Sequence, residues 1–207
     1  MKVKVCGMRD FQNIFEIVAA RPDYLGFIFY TGSKRYVGNE LSRSMLEAIP
    51  ERIMKTGVFV NSTYDDIIRS VRAVQLNMIQ LHGDEPVSFC ERLKKSNVPI
   101  IKAFRIDSEF DFETLAPYSE ACQYFLFDTQ TDAYGGSGQK FDWSQLDAYK
   151  GTTPFFLSGG ISINDIEKIK QLNHPKLHAV DVNSQFEIVP GLKNVELVKR
   201  FIKQLNK

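Results

Sequence analysis

The chain has 207 residues, 43% of them hydrophobic and 25% charged, the composition of a soluble globular protein with enough apolar material for a substantial core. With 26 basic against 25 acidic residues the formal net charge is only +1, which offers no global field to a nucleic acid or an anionic membrane, and no apolar run reaches spanning length. Cys6, Cys90 and Cys122 form no CxxC pair, and Pro175 interrupts the i, i+4 relation of His174 and His178, so neither a disulfide framework nor a metal site is indicated and a reducing, cytoplasmic setting is expected.

From the amino terminus, "VKVC" at 3–6 reads as a strand in which Val3 and Val5 alternate with Lys2 and Lys4, and it leaves no room for a signal-peptide core. Gly7 ends it, and Asp10 caps a helix through Phe11, Ile14 and Val18. Further apolar runs follow at 24–30, 55–60, 78–82, 99–105, 124–128, 154–159 and 178–182, with helix-length segments between most of them. Ser62–Thr63 precedes a segment with Ile67, Ile68, Val71 and Val74 at helical spacing, Ser162 precedes Ile163, Ile166, Ile169 and Leu172, and a last helix covers 195–205. Residues 106–118 make a poor helix, and "FDWSQL" at 141–146 looks like a helix start anchored by Trp143. Strand–helix units in series imply a parallel sheet covered by helices, and about eight of them at short pitch predict an α/β chain folded as a single (β/α)₈ TIM barrel over residues 1–207.

Such barrels carry their sites at the carboxyl ends of the strands. There the sequence places Cys6-Gly7, Lys34 and Arg35, His82, Asp128, Ser158-Gly159-Gly160, and Asp181 leading into Asn183-Ser184. Gly136 and Gly138 of "GGSG", Gly159, Gly160, Asn183 and Ser184 lie in loops around strands six to eight, where a barrel commonly holds phosphate through backbone N–H groups that glycine lets approach closely. A lone cysteine at a strand end is ordinarily a packing residue, a loop arginine a surface charge and a glycine pair a turn; it is the joint placement that points to a phosphorylated small molecule. No GxxxxGK[ST] or complete GxGxxG is present, which argues against a nucleoside triphosphate or dinucleotide.

The runs "KVCGM", "LGFIFYTGSKRYV", "QLHGDE", "FLFDT" with "GGSGQKFDW", "FFLSGGI" and "AVDVNSQFE" occur in order along nearly the whole chain and resemble phosphoribosylanthranilate isomerase of tryptophan biosynthesis. The resemblance implies a cofactor-free barrel that converts N-(5′-phosphoribosyl)anthranilate, its small-molecule substrate, into 1-(2-carboxyphenylamino)-1-deoxyribulose 5-phosphate. It implies Cys6 as general base, Asp128 as general acid, Arg35 on the anthranilate carboxylate, and the glycine loops with the turn after strand eight on the phosphate. The chain departs from the family in carrying Thr31-Gly32-Ser33-Lys34 before Arg35, where proline is frequent, and Asn183-Ser184-Gln185 in place of Ser-Ser-Gly.

The rearrangement asks for one proton delivered to the ribose ring oxygen and one removed from the adjacent carbon. Asp128, after the apolar run 125–127, is expected to be buried and held protonated, and Cys6 to be shifted downward by nearby cations or helix ends so that its thiolate is available. Arg35 suits a planar carboxylate. His82 could face substrate or bond a loop carbonyl, and Asp181 could orient substrate or satisfy a buried neighbour. The rivals are another phosphosugar barrel enzyme, for which Lys102 would be the candidate lysine, and a barrel that binds a phosphosugar without turning it over. A monomer is expected.

Overall fold

Eight parallel strands close on themselves in sequence order: β1 Lys2–Val5, β2 Tyr24–Ile28, β3 Met54–Phe59, β4 Met78–Leu81, β5 Ile100–Ile106, β6 Tyr124–Thr129, β7 Phe155–Leu157 and β8 Leu177–Val182. The computed structural model describes residues 1–38, 41–129 and 142–207. Closure is made by β1 against β8, with Lys4 opposite Asp181 and Val5 opposite Val182. Each of the eight predicted strands is present, with ends displaced by at most two residues.

Helices cover the outside of the barrel: α1 Phe11–Ala19, α2 Arg43–Glu47, α3 Tyr64–Val74, α4 Val87–Lys94, α5 Ile166–Gln171 and α6 Val195–Leu205. The starts of α1 and α3 are those the sequence signals, whereas Ser162 leads first into a 3₁₀ turn, Ile163–Asp165, before α5. The side chains of Asp10, Thr63 and Asn194 accept from the backbone N–H groups of Asn13, Asp66 and Leu197, satisfying donors that the first helical turn leaves orphaned. Ile67, Val71 and Val74 of α3 and Val198, Phe201 and Leu205 of α6 fall on one face and are buried. The poor helix after β5 is a 3₁₀ segment, Phe112–Tyr118, containing Pro117; a second, Trp143–Ala148, is anchored by the buried Trp143. A hairpin of β9 Glu187–Val189 and β10 Leu192–Lys193 lies between β8 and α6.

Side chains alternate across each strand, so the barrel sorts them into two sets. Val3, Val5, Phe125, Phe127 and Phe155 point outward into the layer under the helices. Tyr24, Met78, Ile101, Leu126, Phe156 and Ala179 point inward and form an apolar floor. Above that floor the interior turns polar: Lys4, Thr56, Gln80 and Asp181 are all buried. The alternation of lysine and valine in β1, which resembles a strand with one wet face, is therefore inverted in meaning. Val3 and Val5 face the helices, while Lys4 faces the barrel interior and is 0% exposed.

Candidate active site

At the carboxyl ends of the strands the polar interior opens into a pocket lined by Cys6, Ile28, Val58, Gln80, His82, Asp128, Ser158, Gly159, Gly160, Asp181, Asn183 and Ser184, among others. The space between its walls, open mouth included, is about 710 Å³. Cys6, His82, Asp128, Asp181, Gly159, Gly160, Asn183 and Ser184 are thus brought together as the sequence anticipates. Gly136 and Gly138 lie outside the described residues.

Cys6 follows β1 and is nearly buried, its backbone N–H donating to the Val182 carbonyl at 2.9 Å. Room for its thiol is made by Gly26 of β2, where a Cβ would come within 2.7 Å of Cys6 Sγ. That glycine breaks an otherwise good apolar strand, and its position opposite the cysteine was the available signal of a crowded site. Burial pushes the Cys6 thiol up; Lys4 opposes this, Asp181 reinforces it, and Lys193 opposes it again. The downward shift expected from the sequence is therefore not what the resting structure shows, because removal from water outweighs the cations beside it.

Asp128 ends β6 with a side chain 17% exposed, less enclosed than the preceding aromatic run suggests, since Phe125 and Phe127 face the helices and Asp128 faces the open mouth. Its Oδ1 accepts from the Thr129 N–H at 2.9 Å and its Oδ2 lies 3.2 Å from His82 Nε2. His82 Nδ1 is 2.8 Å from the Gln80 amide nitrogen, which can only donate. The tautomer that accepts at Nδ1 carries its proton on Nε2, directed at Asp128. His82 bonds a carboxylate and an amide instead of a loop carbonyl.

Arg35 does not line the pocket. Its guanidinium grips Glu187 through Nε at 2.9 and 3.0 Å and Nη2 at 2.6 Å, while its Cδ lies against Gly7, where a Cβ would be 2.7 Å away. Gly7, at φ +73°, is what lets Arg35 and Asn183 both approach the turn after Cys6. Glu187 also accepts from Lys193 Nζ at 2.6 Å and from the Gly191 N–H at 3.0 Å. Burial alone would raise the Glu187 carboxyl, but Arg35 and then Lys193 outweigh it and hold it below the usual range. Lys193 additionally donates to Asn183 Oδ1 at 2.7 Å, tying this cluster to the turn after β8. Glu187 and Lys193 were missed in the sequence because a hairpin after the last barrel strand carries no periodic signal.

Asp181 is buried, as is its ion-pair partner Lys4, with Nζ to Oδ2 at 2.8 Å. Burial raises the Asp181 carboxyl, Lys4 opposes that, and the Asp128 charge adds to it. The loop after β7 turns through Gly159 at φ +92° and Gly160 at φ +63°; a Cβ at Gly159 would meet Thr129, so the loop lies directly beside Asp128. After β8, Asn183 leads into a 3₁₀ turn, Ser184–Phe186. Lys102 points the other way: Nζ is held by the Gly83 and Ala103 carbonyls and by Glu85, outside the pocket, which removes the candidate lysine of the rival phosphosugar barrel enzyme.

Residues 3–204 match the family model described as N-(5'phosphoribosyl)anthranilate (PRA) isomerase. The N-(5'-phosphoribosyl)anthranilate isomerase of Parabacteroides distasonis is 45% identical over 208 residues, covering 99% of this chain and 93% of that protein. The crystal structure of phosphoribosyl anthranilate isomerase from Thermotoga maritima superimposes with a TM-score of 0.87 at 35% identity, covering 100% of this chain and 98% of that one; a structure of monomers derived from the dimeric T. maritima protein is also similar. A phosphoribosyl anthranilate isomerase in complex with reduced 1-(o-carboxyphenylamino)-1-deoxyribulose 5-phosphate gives a TM-score of 0.83 at 32% identity, with 100% and 98% covered. The barrel and the full-length similarity agree, and the chain belongs to the N-(5′-phosphoribosyl)anthranilate isomerase family.

Proposed function

We propose that this barrel isomerises N-(5′-phosphoribosyl)anthranilate to 1-(2-carboxyphenylamino)-1-deoxyribulose 5-phosphate with Asp128 as general acid and Cys6 as general base. The observation that carries the assignment is the placement of both groups, with His82 and Asp181, in one pocket at the carboxyl ends of β1, β4, β6 and β8. Asp128 gives its proton to the ribose ring oxygen, the C1′–O bond breaks and an open-chain iminium forms. The Cys6 thiolate then takes the C2′ proton, and the C–H electron pair becomes the C1′–C2′ double bond of the enolamine. Tautomerisation moves a proton to C1′ and leaves the C2′ ketone. The forward cycle begins with a proton on Asp128 and none on Cys6 and ends with the reverse, so proton exchange between the two resets the site. His82 is a positioning residue that holds the Asp128 carboxylate through Nε2.

Phosphate is assigned to the loop after β7, with Gly159 and Gly160, and to Asn183 and Ser184 after β8, all of which line the pocket and could offer backbone N–H groups; Gly136 and Gly138 are carried over as further contacts from the sequence alone. Arg35 is assigned to the anthranilate carboxylate, which would compete with or join Glu187 in the same cluster. Replacing Arg35 by methionine removes a charged bidentate group; about 1.5–3 kcal/mol of binding, roughly 10- to 150-fold, should appear in KM with kcat changed far less. A Glu187→Gln variant should show a smaller rise in KM, because Arg35 loses its orienting partner but keeps its charge. A loss confined to kcat in both variants would sink this assignment.

The defining experiment is turnover of freshly generated phosphoribosylanthranilate, followed as loss of its fluorescence. Turnover is the expected result; tight binding of the product without turnover would leave a phosphosugar-binding barrel instead. Residues 1–207 are taken as one domain, since β1 and β8 close one barrel and α6 covers it. Free thiols at Cys6, Cys90 and Cys122 suit a cytoplasmic location. A monomer is proposed because few large apolar side chains are exposed among the described residues, Met1, Phe11, Ile188 and Val189, with the dimeric T. maritima relative as the counter-case.

A further inference from the structure

Lys4 is a lysine with no contact to solvent, placed one side chain below the cysteine on the inner face of β1. Both are inward because Cys6, immediately after β1, continues the strand's alternation two residues beyond Lys4. Burying an ammonium is costly, and a strand interior could have carried valine or leucine here at no such cost. Its partner Asp181 sits directly opposite in the β1–β8 register and bonds it at 2.8 Å through Oδ2; Asp181 Oδ1 is buried and has no hydrogen-bond partner among the described residues. The charge of that ammonium also favours the Cys6 thiolate over the thiol. One buried cation therefore faces two groups that can each carry a negative charge, and the cation itself has no exposure to solvent.

We propose that Lys4 is a positioning residue that shares its single charge between Asp181 and Cys6, so that the Cys6 thiolate forms at the expense of the Asp181 contact. This rests on the reading of Cys6 as the base. With the thiol protonated, Lys4 belongs to Asp181. When Cys6 gives up its proton, the new charge lies beside an ammonium already fixed by β1 and β8, and no solvent needs to reorganise around it. The remaining charged groups near Cys6 are Lys193 of β10, held by Glu187 and by Asn183, with Arg35 on the other side of Glu187; Asp128 and His82 face Asp181 from β6 and β4. Lys193 is already committed to Glu187, whereas Lys4 is the cation on the cysteine's own strand. The sharing also accounts for the directions seen: burial pushes the thiol up, Lys4 opposes it, and Asp181, as the competitor for the same cation, pushes it up further.

The test reads the thiol directly, without turnover, so that it remains informative if Cys6 proves not to be the base. The rate of Cys6 alkylation by iodoacetamide is followed against pH, with peptide mass mapping to separate Cys6 from Cys90 and Cys122. In Lys4→Met the thiolate loses its cation, and the profile should move to higher pH by at least about one unit, a tenfold lower rate at a fixed pH below the transition. In Asp181→Asn the cation is left to Cys6 alone, and the profile should move to lower pH by a similar amount. Opposite shifts support the proposal, since a merely structural role would not give two neighbouring replacements opposite signs. Profiles that stay in place, or move in the same direction, in variants with wild-type circular dichroism would overturn it. If Lys4→Met does not fold, the double variant Lys4→Met/Asp181→Asn removes both buried charges together; its profile should lie at higher pH than that of Asp181→Asn, a tenfold lower rate at a fixed pH below the transition, and coincidence of the two would overturn the proposal as well.

Discussion

Changing Cys6 to serine should lower kcat by about 10²–10⁴-fold, the range typical of losing a positioned general base, while KM and the melting temperature change little. Serine fits the space that Gly26 leaves beside position 6 and keeps a polar group there, so the loss would report basicity and not shape. The pH dependence gives the same role a second reading. Because burial raises the thiol, the wild-type kcat/KM should climb as pH rises past neutrality, as protonated Cys6 becomes thiolate. That alkaline limb should vanish in the serine variant, whose hydroxyl does not titrate in the accessible range. Steady-state turnover of phosphoribosylanthranilate from weakly acidic to alkaline pH measures both. Retention of more than about a tenth of wild-type kcat would place the base elsewhere.

An Asp128→Asn variant is expected to lose activity on the same scale, about 10²–10⁴-fold in kcat, because asparagine has no proton to deliver to the ring oxygen. The replacement is nearly isosteric. Its carbonyl oxygen can still accept from Thr129 N–H or from His82 Nε2, so binding and fold should survive. If substantial activity persists, His82 becomes the donor, since its Nε2 proton is the one directed at the same point of the pocket. His82→Asn should then abolish what Asp128→Asn left. If instead His82→Asn alone costs about tenfold or less, the imidazole positions Asp128 and does no more.

Much of this organisation was legible in the chain. Apolar runs punctuated by glycine and by capping residues such as Asp10 and Thr63 are local signals, and they locate strands and helix starts within a few residues of where they lie. Strand order follows from the right-handed crossover of consecutive strand–helix units, which leaves a series of eight little choice but to close. The residues at the strand ends, among them Cys6, His82, Asp128 and Asp181, could be named because in this architecture every carboxyl end faces one mouth. The resemblance then attached a reaction to them.

What the chain alone did not decide was which neighbour each polar group would meet. Lys4 reads as the wet side of an alternating strand, and only closure of β1 onto β8 turns that side inward and sets it opposite Asp181. Arg35 was expected to await a ligand, yet it is held by Glu187, 152 residues away, in a hairpin that no periodicity announces. The direction of the Cys6 shift went wrong for a related reason: cations are visible in a sequence, but the exclusion of water that outweighs them exists only once eight strands enclose the thiol. Propensity and patterning act between residues a few positions apart and so determined the elements, their order and the barrel. Charge pairing and desolvation act across strands remote in sequence, and those were decided by the tertiary structure.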